Sequence, residues 1–125
     1  LVPLEKSVVM LNLDMISRNG ADTLQISGLR LNPGLAEILL EETEKLGLRN
    51  FPEAEDLFKR SDHYNFFQKG VSGVDITTGL HKDYHKVSDD LGHSNPAKAA
   101  KVAAMVFNTA WRIANDDIYL ETVNP

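Results

Sequence analysis

Residues 79–90, Gly-Leu-His-Lys-Asp-Tyr-His-Lys-Val-Ser-Asp-Asp, hold two of the four histidines, a tyrosine and three aspartates. Neutral imidazole offers a nitrogen to a metal ion, and carboxylate offers a hard oxygen. A phenol beside them can donate to an oxygen that gains negative charge. The stretch directly follows a short apolar run, 71–77, that reads as a buried strand. Ligands of open α/β sheets gather beyond the carboxyl ends of strands, on loops held by a rigid scaffold. Any metal must be held by His and carboxylate, because the chain has no cysteine and so no thiolate site or disulfide.

Two other places carry reactive side chains. Asp14 ends the apolar run 7–14, where a carboxylate costs free energy unless it is paired or metal-bound. The plainer role for Asp14 is a turn-forming cap. Arg60-Ser61-Asp62-His63 stands at a helix start, where anions bind. Ser61 and Asp62 also suit simple capping and the helix dipole. His81 lies four before His85, but Gly79 and the polar run make this a loop, so the spacing has no helical meaning. His93, beside a helix start, reads as exposed.

The elements that must position these groups follow from periodicity. Residues 7–14 are nearly all apolar and short, as in a strand covered on both faces. Asn19-Gly20 is a turn signal, and 23–29 reads as a second strand. Asn32 and Pro33 open a helix as N-cap and first helical residue, with Leu35, Ile38, Leu39 and Leu46 as its apolar stripe. Glu37, Glu41, Glu42 and Glu44 fall mainly on its wet side, and Gly47 suits a C-terminal cap. Residues 49–59 read as a surface loop, 62–69 as a short helix closed by Gly70, and 71–78 as the third strand. Asn95-Pro96 opens the longest helix, to about Asn115, in which Phe107 and Trp111 are expected to pack together in the core. Residues 116–125 read as an extended or frayed end. The order gives an α/β fold, a mixed β-sheet flanked by helices, with an exposed edge where more sheet would continue.

Length bounds the chain at about one domain. Lys plus Arg is 13 against 18 Asp plus Glu, a net charge of −5, which argues against nucleic acid as a partner. No run approaches the ~20 apolar residues of a membrane span. Residues 1–6 lack the basic start and apolar centre of a signal peptide. The chain lacks an initiator Met and opens almost directly into a strand, so the expectation is a piece of a longer protein.

Taken together, Asn12-Leu13-Asp14-Met15, Ser61-Asp62-His63, Thr78-Gly79, Tyr84-His85 and the long helix from Ala97 resemble the two-zinc exopeptidases of the bacterial leucyl aminopeptidase and aminopeptidase Y type. The resemblance runs from Val8 to about Asn115, over the carboxyl-terminal half of that catalytic domain. It implies a sheet between helices with two zinc ions at the strands' carboxyl ends, and a peptide substrate. It assigns Asp14 to one zinc and His85 to the other. Tyr84 would hydrogen-bond the oxyanion, Arg60 would meet an anion in the substrate pocket, and Thr77 would line that pocket. Asp89, four after His85, could orient its ring or simply cap the loop. The resemblance also implies export to the periplasm or the extracellular space.

The family's remaining zinc ligands and its general base precede the part matched here. A zinc site needs about three protein ligands and a water. The expectation is therefore that this piece alone binds zinc weakly and is inactive, its partner being the missing amino-terminal half. Ser17, Ser72, Thr77 and Asp90 depart from residues common in the family. Glutaminyl cyclases and carboxypeptidases share the scaffold with a similar Asp and His, and a non-catalytic α/β interaction module is a third possibility.

Overall fold

Short apolar runs separated by turn residues become strands, and the two runs with three-and-four periodicity become the long helices. A computed structural model describes residues 3–51 and 57–120. In chain order the elements are β1 (Val9–Leu13), β2 (Thr23–Ser27), α1 (Pro33–Lys45), β3 (Arg49–Phe51), α2 (His63–Phe67), β4 (Ser72–Thr77) and α3 (Pro96–Asn115). The sheet order is β1-β4-β2-β3. β1 runs parallel to β4, β4 antiparallel to β2, and β2 parallel to β3. This is the mixed sheet flanked by helices that the sequence implies.

Side chains of a strand alternate between faces. Val74 and Ile76 of β4, with Leu24 and Ile26 of β2, therefore meet Leu35 and Leu39 of α1 and Val102 and Met105 of α3. Full burial of each such aliphatic contributes roughly 1.5–3 kcal/mol. The alternate residues of β4, Gly73, Asp75 and Thr77, face the other way. There α2 crosses so closely that a Cβ on Gly73 would sit 3.1 Å from the carbonyl oxygen of His63. β4 is buried along its whole length, whereas β1 lies at the open edge with half-buried residues and an exposed Leu13.

Three details differ from the sequence reading. Residues 49–51 pair with β2 as an edge strand, and Asn50 Oδ1 accepts from the Ile26 amide at 3.0 Å. Residues 52–56 of the expected loop and 121–125 of the expected tail lie outside the described residues. Glu42 is buried, because Lys45, Asn108 and Arg112 all reach its carboxylate. These contacts hold the Glu42 carboxyl below the usual carboxylate range, the Lys45 hydrogen bond most of all. The third concerns Phe107 and Trp111. Their rings stack with centroids 6.1 Å apart, but the residues are 64% and 60% exposed. They fall on the flank of α3 that carries Ala100, Ala103, Ala110 and Ala114, all exposed.

Replacing both Phe107 and Trp111 by Ser is therefore expected to change stability by no more than about 1 kcal/mol, as for surface sites. Core aromatics would cost about 3–5 kcal/mol each on truncation. A thermal melt decides: a fall of more than about 10 °C would return the pair to the core.

Candidate active site

The carboxyl ends of β1 and β4 lie side by side because the strands are parallel, with Leu13 opposite Ile76. The Asp14 amide continues the ladder to the Ile76 carbonyl at 3.1 Å. Met15 then turns into the left-handed region at φ 56°, an unfavourable conformation for a non-glycine residue, and ends the strand. Its carbonyl accepts from the Thr78 amide at 3.1 Å and the Thr78 hydroxyl at 2.6 Å. Across the pair, Gly79 leaves β4 at φ 84°. Glycine meets this conformation without strain, and a Cβ there would stand 3.0 Å from Gln25 Oε1. These two turns aim Asp14 and the 79–90 loop at the same end of the sheet.

Alternation gives Asn12 and Asp14 of β1 the same face as their neighbours Asp75 and Thr77 of β4. Asn12 Nδ2 donates to Asp75 Oδ1 at 2.8 Å and to Ser61 Oγ at 2.7 Å. Ser61 Oγ donates to Asp14 Oδ2 at 3.4 Å. Ser61 is thus used on β1 rather than as a helix cap. Burial pushes the Asp75 carboxyl up to about 6; the Asn12 hydrogen bond opposes the rise and the Asp14 charge adds to it.

Asp14, Arg60, Ser61, Asp75, Thr77 and Tyr84 line one cleft of about 100 Å³. A larger hollow of about 310 Å³ across Leu80, lined by Asn19, Thr23, Gln25 and Phe51 among others, contains none of the candidate residues. Thr77 is buried, and its hydroxyl accepts from the Gly79 amide at 3.3 Å. Arg60 is exposed, and its guanidinium has no hydrogen bond or ion pair among the described residues. His85 is not part of the cleft lining. It sits at φ 56° with its ring stacked on Tyr84, centroids 3.9 Å apart.

Asp89 does not orient His85. Its Oδ1 accepts from Arg18 Nη1 at 2.5 Å, and its Oδ2 lies 3.7 Å from His81 Nε2. Arg18 Nη2 also grips Asp83, whose other oxygen accepts from Ser88 Oγ at 2.9 Å. Burial pushes the Asp83 carboxyl up, but the Ser88 and Arg18 bonds outweigh it and hold the group below its ordinary range. His81 is half-buried rather than loose, with Nδ1 buried and unpartnered among the described residues. His63, beside Arg60, is fully buried against Phe58, and burial lowers its pKa.

Arg18, Asp75 and Asp83 escape a motif reading. The signal for Asp75 was the one that marks Asp14, a carboxylate in an apolar strand. Arg18 carries no local signal, since its partners lie 65 and 71 residues away.

As metal donors, Asp14 and His85 are of the right kind for zinc: a carboxylate and an imidazole, both exposed. Asp14 has only the long Ser61 contact, and the His85 ring has no hydrogen bond among the described residues. The number falls short, because no three His, Asp or Glu groups converge among the described residues. Zinc fits the donors as part of a ligand set.

A protein-family profile described as Peptidase family M28 matches residues 2–110. A zinc aminopeptidase from Bacillus subtilis shares the fold with a TM-score of 0.69 at 20% identity, over 93% of this chain and 30% of that one. An aminopeptidase from Aneurinibacillus sp. strain AM-1 superposes with a TM-score of 0.69 at 18% identity, over 97% of this chain and 29% of its own. The chain thus spans less than a third of these structures. No curated protein matches it.

Proposed function

Since the chain belongs to peptidase family M28, we propose that it forms the carboxyl-terminal part of a zinc aminopeptidase active centre whose other ligands come from outside these residues. The observation that carries this reading is the convergence of Asp14, Arg60, Thr77 and Tyr84 on one cleft at the carboxyl ends of two parallel strands. Asp14 would hold one zinc and His85 the other. Zinc, when bound, supplies Lewis acidity and acidifies a water.

The chain's own residues do the rest. Asp14 is presented by the left-handed turn at Met15. Tyr84 lines the cleft with its hydroxyl free of hydrogen bonds among the described residues, so the phenol can donate to a carbonyl oxygen that gains charge. The Arg60 guanidinium at the cleft wall, unpaired among the described residues, would take an acceptor of the peptide. Thr77 would set the depth of the side-chain pocket. Among the described residues the metal set is incomplete, and the chain alone is expected to be inactive.

The test is hydrolysis of leucine p-nitroanilide by the full-length protein, with and without a chelator. His85→Ala is expected to lower kcat/KM by at least about a hundredfold, more than loss of an orienting partner costs. Tyr84→Phe is expected to lower kcat by about a hundredfold with KM nearly unchanged. Absence of chelator-sensitive hydrolysis in folded, zinc-loaded protein would turn the reading to cyclase or carboxypeptidase chemistry on this scaffold, or to a non-catalytic module.

A further inference from the structure

We infer that Arg18 is a positioning residue: by gripping Asp83 and Asp89 at once, it fixes the Tyr84–His85 segment relative to Asp14. The 79–90 stretch contains neither a strand nor an α-helix. Its own backbone bonds are turns, from the Tyr84 amide to His81 O at 3.0 Å, Lys86 to Asp83 O at 2.9 Å and Asp89 to Lys86 O at 3.1 Å. Such turns close locally and do not tie the loop to the sheet. Asn19 Nδ2 anchors only the loop's start, at the carbonyls of Thr78, Gly79 and Leu80. From 81 to 89, the side-chain hydrogen bonds to the rest of the fold among the described residues are the two that Arg18 makes. Its two carboxylates bracket His85, two residues before it and four after.

Arg18 can serve as an anchor because its own backbone is held. Its amide donates to Thr78 Oγ1 at 3.2 Å. Its carbonyl accepts from Lys98 Nζ at 2.6 Å, and the same ammonium holds the Gly20 carbonyl at 2.7 Å. Arg18 stands four residues after Asp14 in the same turn, so a fixed Arg18 carries the geometry of Asp14 to the loop. The side chain is only 10% exposed. A planar guanidinium sets its donors on separate, rigidly spaced nitrogens that reach two carboxylates, whereas a lysine puts all its donors on one nitrogen at the end of a flexible stem. His85 adds the need for restraint, since a left-handed non-glycine residue persists only where its surroundings over-determine it. The positional claim stands on these bonds alone; its consequence for zinc rests on the function proposed above.

Amide hydrogen exchange on the full-length protein without metal tests the position. Arg18→Met is expected to speed exchange at Tyr84, Lys86 and Asp89 by about tenfold or more, with less than about twofold at Val74 and Ile76 in β4. Should Arg18→Met fail to fold, Asp89→Asn removes one arm at a more exposed carboxylate and is expected to speed the same amides by about threefold. Arg18→Lys is expected to restore only part of the protection. Uniform acceleration of loop and β4, or none, overturns the inference. In a second arm, zinc is titrated against the His85 ring resonances, and Arg18→Met is expected to need about tenfold more zinc for the same shift. Equal zinc response with a loosened loop would also overturn it. A full-length wild-type protein whose His85 ignores zinc would count against the proposed function, and the exchange pattern alone would then judge Arg18.

Discussion

Asp75→Asn is expected to melt about 10 °C above the wild type at pH 7.5 in chelated buffer, and to melt with it near pH 4. Asp75 lies in the middle of the fully buried β4, 5% exposed. Burial raises its pKa from 3.8 to about 6, despite the hydrogen bond from Asn12. A carboxyl whose folded pKa is raised favours the fold while it is protonated. That advantage is complete below about pH 4 and is lost as pH rises through 6. At about 1.4 kcal/mol per pH unit, the charged group costs about 3 kcal/mol at pH 7.5. Asn keeps an oxygen to accept from Asn12 and cannot ionise, and its amide can face the Asp14 carboxylate. For a chain of this size 3 kcal/mol is about 10 °C. Melts at pH 7.5, 6 and 4 are the measurement. A variant no more stable than the wild type at pH 7.5, or a gap that persists at pH 4, would show that Asp75 is not a strained carboxylate.

The parts of the fold set by local pattern were legible in the sequence. The apolar runs around Leu11 and Val74 became strands, and the stripe of Leu35, Ile38 and Leu39 became a buried helix face. Gly47, at φ 64°, is the expected left-handed cap, followed by the Leu48 amide bonding to Thr43 O at 3.0 Å. What local pattern could not give was the use of a polar side chain once distant segments meet. Asp89 was near His85 in sequence, but Arg18 reached its carboxylate from 71 residues away. Ser61 was a fair helix cap, yet β1 passed close enough to take its hydroxyl. Glu42 followed the wet side of its helix until Arg112 of α3 closed over it. Phe107 and Trp111 had the right spacing for a core pair, but α3 turned that flank away from the sheet. The candidate cleft was therefore half legible: Asp14, Arg60, Thr77 and Tyr84 on its wall were marked in the sequence, whereas Asp75 beside them and Arg18 behind the loop were not.

Asn32 is where these two kinds of information separate most sharply, and replacing it is expected to cost the most. By sequence it caps α1, and its backbone does so, with the Ala36 amide bonding to its carbonyl at 2.8 Å. Its side chain makes no cap bond. The antiparallel pairing of β2 with β4 stops at Ser27 opposite Asp75, because Gly28 turns away at φ 93°. That turn requires glycine, since a Cβ would stand 2.4 Å from the Phe58 ring. Gly73, further along β4, therefore has no β2 residue opposite it. Asn32 supplies the missing pairing with its amide: Oδ1 accepts from the Gly73 amide at 3.1 Å, and Nδ2 donates to Gly73 O at 3.0 Å and to Gly28 O at 2.7 Å. Asn32 is fully buried, so no water replaces these bonds. Asn32→Leu, of similar size, leaves the Gly73 amide and carbonyl buried without their partner, while Gly28 O keeps the Leu31 amide at 3.2 Å. At about 1–3 kcal/mol for each unsatisfied group, the loss is about 4 kcal/mol. That is a large share of the roughly 5–15 kcal/mol that stabilises a domain. The melting temperature is expected to fall by about 15 °C. Asn32→Asp is expected to be at least as damaging at pH 7, because it sets a carboxylate against two carbonyl oxygens. A fall of less than about 4 °C for either variant would mean that the Asn32 amide does not carry the sheet past the end of β2.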